Sequence, residues 1–375
     1  MLLPACLIEG QVPGVITGTF DACGGELTQT WTFTDNCSRT ITQTQTITIE
    51  PAPEAAFDVV ANEVNAVGTT VIEKVEMPFT SKGIFSILFN LIFLTRFKNG
   101  LFHITGDVHY AILALPKDRT ILTIHDLVFL HTYKGLRRSL LKWIFLDLPV
   151  RKAKYITTIS EKSKQEILDY TNCDPEKILV IPNPVDPIFS TSTSLPSAGL
   201  PTMVGKFNPA TILFLGTKPN KNLELTIAAL FGLDVHLRII GELSRKQKEM
   251  LSKFNINYSS DFSISPEQLA SEYSNADIIL FPSTYEGFGL PVIEGFQAGK
   301  PVITSNISPM KEVAGEGALL ADPTSIASIR VQVIKLLADQ QLQMQLVAAG
   351  SEKVKFYQPG FIAETYQHLW SKFNN

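Results

Sequence analysis

The sequence predicts an α/β protein with two doubly wound domains, each a parallel sheet covered by helices, behind a short β-rich appendage. Three observations carry this. From about residue 56 onward, strand-like apolar runs alternate with helical ones, the order that builds parallel sheets. Runs such as "TILFLGT" (211–217) and "ADIILFPS" (276–283) are apolar throughout, as strands buried on both faces are. The first 50 residues differ: "TQTWTFTDNCSRTITQTQTITIE" alternates threonine at period two, the mark of half-exposed strands. A length of 375 residues suits two domains and an appendage.

Taken in order, Asp35-Asn36 supplies a turn between two threonine-rich runs. "FDVVANEVNAV" then reads as a helix, "TTVIEKVEMP" as a strand and residues 83–97 as a helix. Strands follow at "LFHITGD" (101–107), "RTILTIHDL" (119–127), "KYITTIS" (154–160) and "ILVIPN" (178–183). "GLRRSLLKWIFLDLPVRKA" is helical, and Ser160 is placed to cap the helix "EKSKQEILDY". A segment rich in Pro, Ser, Thr and Gly marks a boundary near 186–208. The second half repeats the alternation, with strands at 211–217, "VHLRIIG", 276–283, "KPVITS" and "GALLADP". Ser265 and Pro266 open one of its helices. Two long helices end the chain. The expected domains are 1–55, 56–195 and 196–358, with a final helix over 359–375 that packs back on the first α/β domain.

Composition excludes some classes. At 45% apolar and 18% charged residues, large cores can form and global disorder is excluded. A net charge of −4 argues against a nucleic-acid binder. Cys6, Cys23, Cys37 and Cys173 form no CxxC pair, so no structural metal is expected. A Cys23–Cys37 disulfide would need export. "MLLPACLIEG" lacks the basic start of a signal peptide. "GIFSILFNLIFLTRF" (83–97) is too short and too polar at Asn90 and Arg96 to span a bilayer. It reads as a mostly buried helix, with a membrane-surface helix as the second reading. Arg137, Arg138, Lys142, Arg151, Lys152 and Lys154 surround Trp143, Ile144 and Phe145. They form either a solvated face or a contact with an anionic membrane.

Candidate chemistry gathers at strand ends of the second domain, where ligands of doubly wound sheets sit. Glu286 follows "ADIILFPS". Gly287 and Gly289 allow a tight turn, and Pro291 fits the first turn of the next helix. The amides of Gly289, Leu290 and the residues after Pro291 would face an anion. Glu294 is expected in that helix's first turn, where a carboxylate can accept two hydrogen bonds from a diol such as a ribose. The bland alternative is that Glu294 complements the helix dipole and Glu286 is a loop residue. Lys218 and Lys221, in "GTKPNKNLEL", lie where a diphosphate would sit, or merely start a solvated helix. Gly241 permits close backbone approach at a third strand end. His125, in "TIHDL", is a strand-end histidine that alone reads as structural. His103 and His109, flanking Asp107, read as fold elements near the cleft.

Several of these pieces stand in a familiar order: "ILTIHDL", "YITTISEKSKQEIL", "VIPNPVD", "LFLGTKPNKNLEL", "RIIGEL", "ADIILFPSTYEGFGLPVIEGFQAGKPVITS" and "GALLADP". Residues 58–375 thereby resemble the retaining family 4 glycosyltransferases, whose GT-B fold sets two Rossmann-like doubly wound domains across a cleft. The family's E-x7-E motif matches Glu286 and Glu294. The resemblance implies a nucleotide sugar as donor, a sugar or lipid-linked acceptor and retention of configuration. It also implies no metal or other cofactor, and a cytoplasmic site, peripheral at the inner membrane face. It places Glu286 near the transferred sugar, Glu294 on the nucleotide ribose and Lys221 on the diphosphate. Lys218 is the second cation, Phe288, Gly289 and Leu290 give backbone contacts, Gly216 and Gly241 line the donor, and His125 faces it across the cleft. The resemblance starts near "FDVVANEV", so the first strand and glycine loop of the family's first domain are expected to be missing. Hence the alternative: an impaired chimera that only binds nucleotide through its second domain. The stretch "GTFDACGGELTQTWTFTDNCSRTITQTQTITIEPAPEAAF" resembles a repeat of secreted Bacteroidetes-type surface proteins, a small β-sandwich unit.

Overall fold

The computed structural model describes residues 15–21, 24–34, 40–49, 73, 75–79, 83–106, 108–127, 129–130, 133–190 and 209–373. The chain divides into two units, Met1–Ala55 and Ala56–Asn375. In the first unit β1 (Val15–Asp21), β2 (Gly24–Thr34) and β3 (Thr40–Ile49) form an antiparallel sheet in that order. β2 pairs with β3 from Gly25↔Ile49 to Thr34↔Thr40, so the threonine-rich runs are neighbours. The Asp35-Asn36 turn and Cys6, Cys23 and Cys37 lie outside the described residues.

The second unit holds two parallel sheets. The first lobe has β4 (Phe102–Ile104), β5 (Thr120–Ile124), β6 (Tyr155–Thr158) and β7 (Ile178–Val180), in that spatial order. Every β5 residue is buried, as its unbroken apolar and threonine run requires. "FDVVANEVNAV" lies outside the described residues. The described part of "TTVIEKVEMP" (73 and 75–78) is not in a strand, contrary to expectation.

The window 83–97 forms helix α1 (Ile84–Leu94), and here the sequence reading needs correction. α1 is not mostly buried. It turns Asn90 and Leu94 inward, while Ile84 (82% exposed), Phe85 (78%), Leu88, Phe89 and Ile92 stay outside. A polar residue anchors it: Asn90 Nδ2 donates to Phe79 O and to Tyr110 Oη, both at 2.8 Å.

The next helical stretch is built around a proline. α2 (Gly135–Lys142) passes through a π turn (Trp143–Asp147) into α3 (Leu148–Lys152). Pro149 has no N–H for the Phe145 carbonyl four residues back. His109 Nδ1 donates to that carbonyl instead, at 2.9 Å. His109 is thus a fold element, and so is His103, whose Nε2 meets Thr123 Oγ1 at 2.7 Å. Asp107 lies outside the described residues. Ser160 caps α4 (Glu161–Tyr170) by accepting from Ser163 N, as its position predicts.

In the second lobe the order is β10 (Tyr258–Asp261), β9 (Val235–Ile240), β8 (Ala210–Leu215), β11 (Ile278–Phe281), β12 (Val302–Ser305), β13 (Ala318–Ala321). The chain starts in the middle at β8, builds outward to β10, then returns to the other side of β8 with β11. The topology therefore reverses between β8 and β11, where their carboxyl ends leave a crevice. Helices α5 (Leu223–Leu230), α6 (Arg245–Lys253), α7 (Pro266–Asn275) and α8 (Leu290–Gln297) connect these strands, with the short α9 (Met310–Ala314) after β12. Three helices, not two, end the chain: α10 (Ile326–Ala338), α11 (Gln340–Val354) and α12 (Pro359–Ser371). α12 packs on the first lobe, joining Ile362, Ala363, Tyr366, Leu369 and Trp370 to Ile121 and Ile181.

Candidate functional site

The crevice at the β8–β11 reversal is shaped by two loops. After β8, Gly216 takes φ +84°, and a Cβ built there would meet Lys221 Cγ at 2.9 Å. The missing side chain lets Lys221 fold back across the strand end. Its Nζ reaches Glu286 Oε1 at 2.8 Å and lies 4.8 Å from the Phe281 ring centroid. Lysine and glutamate from two loops thus meet on one side of the sheet.

Neighbouring bonds hold this pair in place. Asn220 Nδ2 donates to Tyr285 O (3.0 Å) and Glu286 Oε1 (3.2 Å). Thr284 N donates to Asn220 O at 2.8 Å. Asn222 is buried at φ 69°, a left-handed conformation that asparagine tolerates. Its Nδ2 donates to Pro282 O (3.0 Å) and Pro323 O (2.6 Å). Lys218 sits exposed at the loop's start, where its carbonyl accepts the Lys221 N–H at 2.9 Å. Its ammonium is not part of the cluster around Glu286 that Lys221 forms. Gly241 supports the same loop, since a Cβ there would meet Thr217 Cγ2 at 2.9 Å.

Gly289 (φ 110°) starts α8 with no side-chain cap. This leaves a helix start suited to an anion, but a narrower one than expected. The Val292 N–H is taken by Gly289 O at 2.9 Å, and Pro291 has none, so Gly289 and Leu290 are the remaining donors. Phe288 turns its ring into the core, edge-on to Tyr357 at 5.8 Å. Leu290 is exposed.

Glu294 stands one turn further into α8 than expected, at its fifth residue rather than in the first turn. The helix dipole acts mainly within the first turn, so it does not account for a carboxylate there. Tyr273 Oη donates a hydrogen bond to Glu294 Oε2. Burial pushes the Glu294 pKa up to about 7; Tyr273 and Lys221 act against that rise, and Asp186 adds to it.

The first lobe meets this wall at the 285–287 loop. Ser160 Oγ donates to Gly287 O (2.9 Å), and Lys162 Nζ donates to Glu286 O (3.0 Å). Lys162 also lies 3.4 Å from the Tyr285 ring centroid. Burial lowers its pKa, while Glu166, Glu286 and Asp126 raise it. A Cβ at Gly287 would lie 3.6 Å from Asp126 Cβ, an ordinary van der Waals contact that places Asp126 against this loop. His125 leaves β5 beside Asp126, and its carbonyl accepts from Ser163 Oγ at 3.0 Å. The structure thus joins Lys221, Glu286, Gly216 and the α8 start closely, and sets the His125–Asp126 strand end against the same loop. Ser160 was singled out only as a helix cap, and Lys162, Asn220 and Tyr273 were not among the residues singled out. Their partners lie 127, 124, 66 and 21 residues away.

Two parallel-sheet lobes of this kind are the GT-B architecture of sugar-transferring enzymes. The comparisons agree. The family model "Glycosyltransferase Family 4" matches residues 57–189, and "Glycosyl transferases group 1" matches residues 206–353. The chain is a glycosyltransferase of the GT-B fold, its first lobe similar to family 4 and its second to group 1. It is 25% identical over 292 residues to O-antigen chain mannosyltransferase B of Escherichia coli, covering 70% of this chain and 71% of that protein. It is 24% identical over 268 residues to the serotype-specific mannosyltransferase WbdA of Escherichia coli, covering 65% of this chain but only 33% of that longer protein. The fold resembles that of the Anabaena protein HepE in complex with UDP and glucose. There the TM-score is 0.62 at 15% identity, covering 78% of this chain and 85% of that one.

Proposed function

We propose that this glycosyltransferase moves a sugar from a nucleoside-diphosphate sugar to an acceptor hydroxyl, with retention, in cell-surface polysaccharide or glycolipid synthesis. The observation that carries the reading is the Lys221–Glu286 pair beside the uncapped start of α8. When the sugar C1–O bond to the diphosphate breaks, the leaving group takes the negative charge. Lys221, with Lys218 nearby, and the Gly289 and Leu290 amides offset that charge through preorganised electrostatics, without a metal. Glu286 faces the transferred sugar, and Glu294 accepts from the ribose hydroxyls. Gly216 and Gly241 keep the loops clear of the donor, and Phe288 anchors the turn that presents the amides. His125 approaches the sugar from the first lobe. The names of the relatives make a mannosyl donor and an O-antigen-like acceptor the first to test.

A lipid-linked acceptor would bring the enzyme to a membrane face, here the cytoplasmic side of the inner membrane. No helix among the described residues is long and apolar enough to cross one. A surface stripe favours peripheral contact: Leu136 (91% exposed), Leu140 and Trp143 follow one another at helical spacing. Arg137 flanks them, while Lys142 is held by Asp147 at 2.6 Å. The appended sheet of β1–β3 is read as a fragment of the secreted-type repeat, with no part in the transfer.

Incubating the full chain with labelled nucleotide sugars and sugar or lipid-linked acceptors tests this reading. Transfer with the product keeping the donor's anomeric configuration is expected. Nucleotide binding without transfer would favour the impaired-chimera reading, and no binding would sink both.

A further inference from the structure

We infer that Tyr273 is a positioning residue for the donor: its hydroxyl holds one oxygen of Glu294 so that the other is presented to the ribose diol. The inference rests on the proposed role of Glu294. Tyr273 lies in α7, outside the E-x7-E segment, and is fully buried. Its hydroxyl donates to Glu294 Oε2, which leaves Oε1 as the acceptor for a ligand. A carboxylate on a flexible glutamate would otherwise rotate between equivalent poses, and ordering it would oppose binding.

The tyrosine itself cannot swing away. Phe189, in the turn Pro187–Phe189 that leads out of the first lobe, stands edge-on to its ring at 5.1 Å. Val292, Ile293 and Phe296 of α8 belong to the same core cluster. The ring is fixed by packing from two elements, and its polar end meets one partner, Glu294. Asp186 and Lys221 are the charged groups that also act on Glu294, in opposite directions. The Tyr273 hydrogen bond is the contact that favours its ionised, accepting form most directly.

Tyr273→Phe keeps the ring and removes only the hydroxyl. Calorimetric titration of the full chain uses whichever of UDP, GDP or ADP binds best, and its 2′,3′-dideoxy analogue. The wild type should prefer the diol form. In Tyr273→Phe the diol form should lose about 3- to 10-fold in affinity, the scale of one hydrogen bond, while the dideoxy form is unchanged. Adding Tyr273→Phe to Glu294→Gln should cost nothing further, because the tyrosine acts through the glutamate. An equal loss for both ligands, or an additive loss in the double variant, overturns the inference and leaves the donor site standing. A wild type with no preference for the diol overturns the role of Glu294 and the inference together.

Discussion

The two walls of the cleft are built differently. The second-lobe wall is bonded to itself across 60 to 101 residues of sequence: Lys221 to the Glu286 carboxylate, Asn220 to the Tyr285 carbonyl, and Asn222 to the carbonyls of Pro282 and Pro323. The first-lobe wall reaches over with Ser160 and Lys162, which hold the carbonyls of Gly287 and Glu286, and Lys162 also lies over the Tyr285 ring. One wall carries fixed charge where a diphosphate would leave. The other fixes where that wall's loop lies. In the proposed reaction, charge stabilisation would be assembled within a single sheet, and the position of the first lobe left to a few bonds that can break and re-form.

If that division holds, the largest effects belong to the second lobe. Glu286→Gln should lower transfer about 10²- to 10³-fold, while nucleotide affinity changes by only a few fold. Lys221→Ala should lower transfer by about 10² and also weaken nucleoside diphosphate binding more than nucleoside binding. Steady-state kinetics beside nucleotide titrations separate the two. An equal loss in a first-lobe variant would break the comparison.

The support under that wall can be tested through stability. Asn222→Ala leaves the Pro282 and Pro323 carbonyls without their donor and puts alanine at φ 69°. The cost should be roughly 2–4 kcal/mol in denaturant unfolding, from two lost buried hydrogen bonds and left-handed strain. A change under about 0.5 kcal/mol would mean that the loop re-forms without this residue.

Much of the second lobe was readable because its signals are local. "TILFL" and "IILF" are apolar on both faces, so they can only be central strands, and their ends locate the crevice. The capping box at Ser265 sits within four residues. What escaped was long-range or ambiguous. β10 was not expected, because "YSSD" is polar; as an edge strand it is held by Arg238–Asp261 and His236–Ser259 contacts. Tyr273 carries no local signal, and its hydroxyl's partner is visible only once α7 and α8 pack. The helix at 83–97 was read as buried because of its composition. Composition does not say how many neighbours a helix has, and α1 presents most of its apolar face outward.

A pH series probes the donor wall more gently. Glu294, normally ionised well below neutrality, is held up to about 7 by burial. The protonated form has lost an acceptor, so nucleotide affinity should be steady above about pH 7 and fall as pH drops through it, by up to about tenfold per unit. For folding the sign is opposite. A carboxyl whose native pKa is raised takes up protons more readily when folded, so its contribution to stability is present at low pH and lost as pH rises toward 7. Binding that does not change between pH 8 and 5.5 would remove Glu294 from the ribose.

The smallest expected effect belongs to the other wall, and it decides whether the comparison is right. Lys162→Met keeps most of the apolar stem but removes the ammonium that bonds the Glu286 carbonyl and lies over the Tyr285 ring. Nucleotide affinity should stay within about twofold, because no donor-wall bond is touched. Transfer should fall about tenfold, because the Glu286 loop loses one of the side chains that anchor it to the first lobe. Ser160→Ala should act in the same direction, and the double variant should exceed either alone if both bonds locate one loop. A Lys162→Met enzyme that lost nucleotide affinity and transfer in equal measure would show that the first lobe shares in donor binding. The two walls would then be one site rather than a charged face and a clamp.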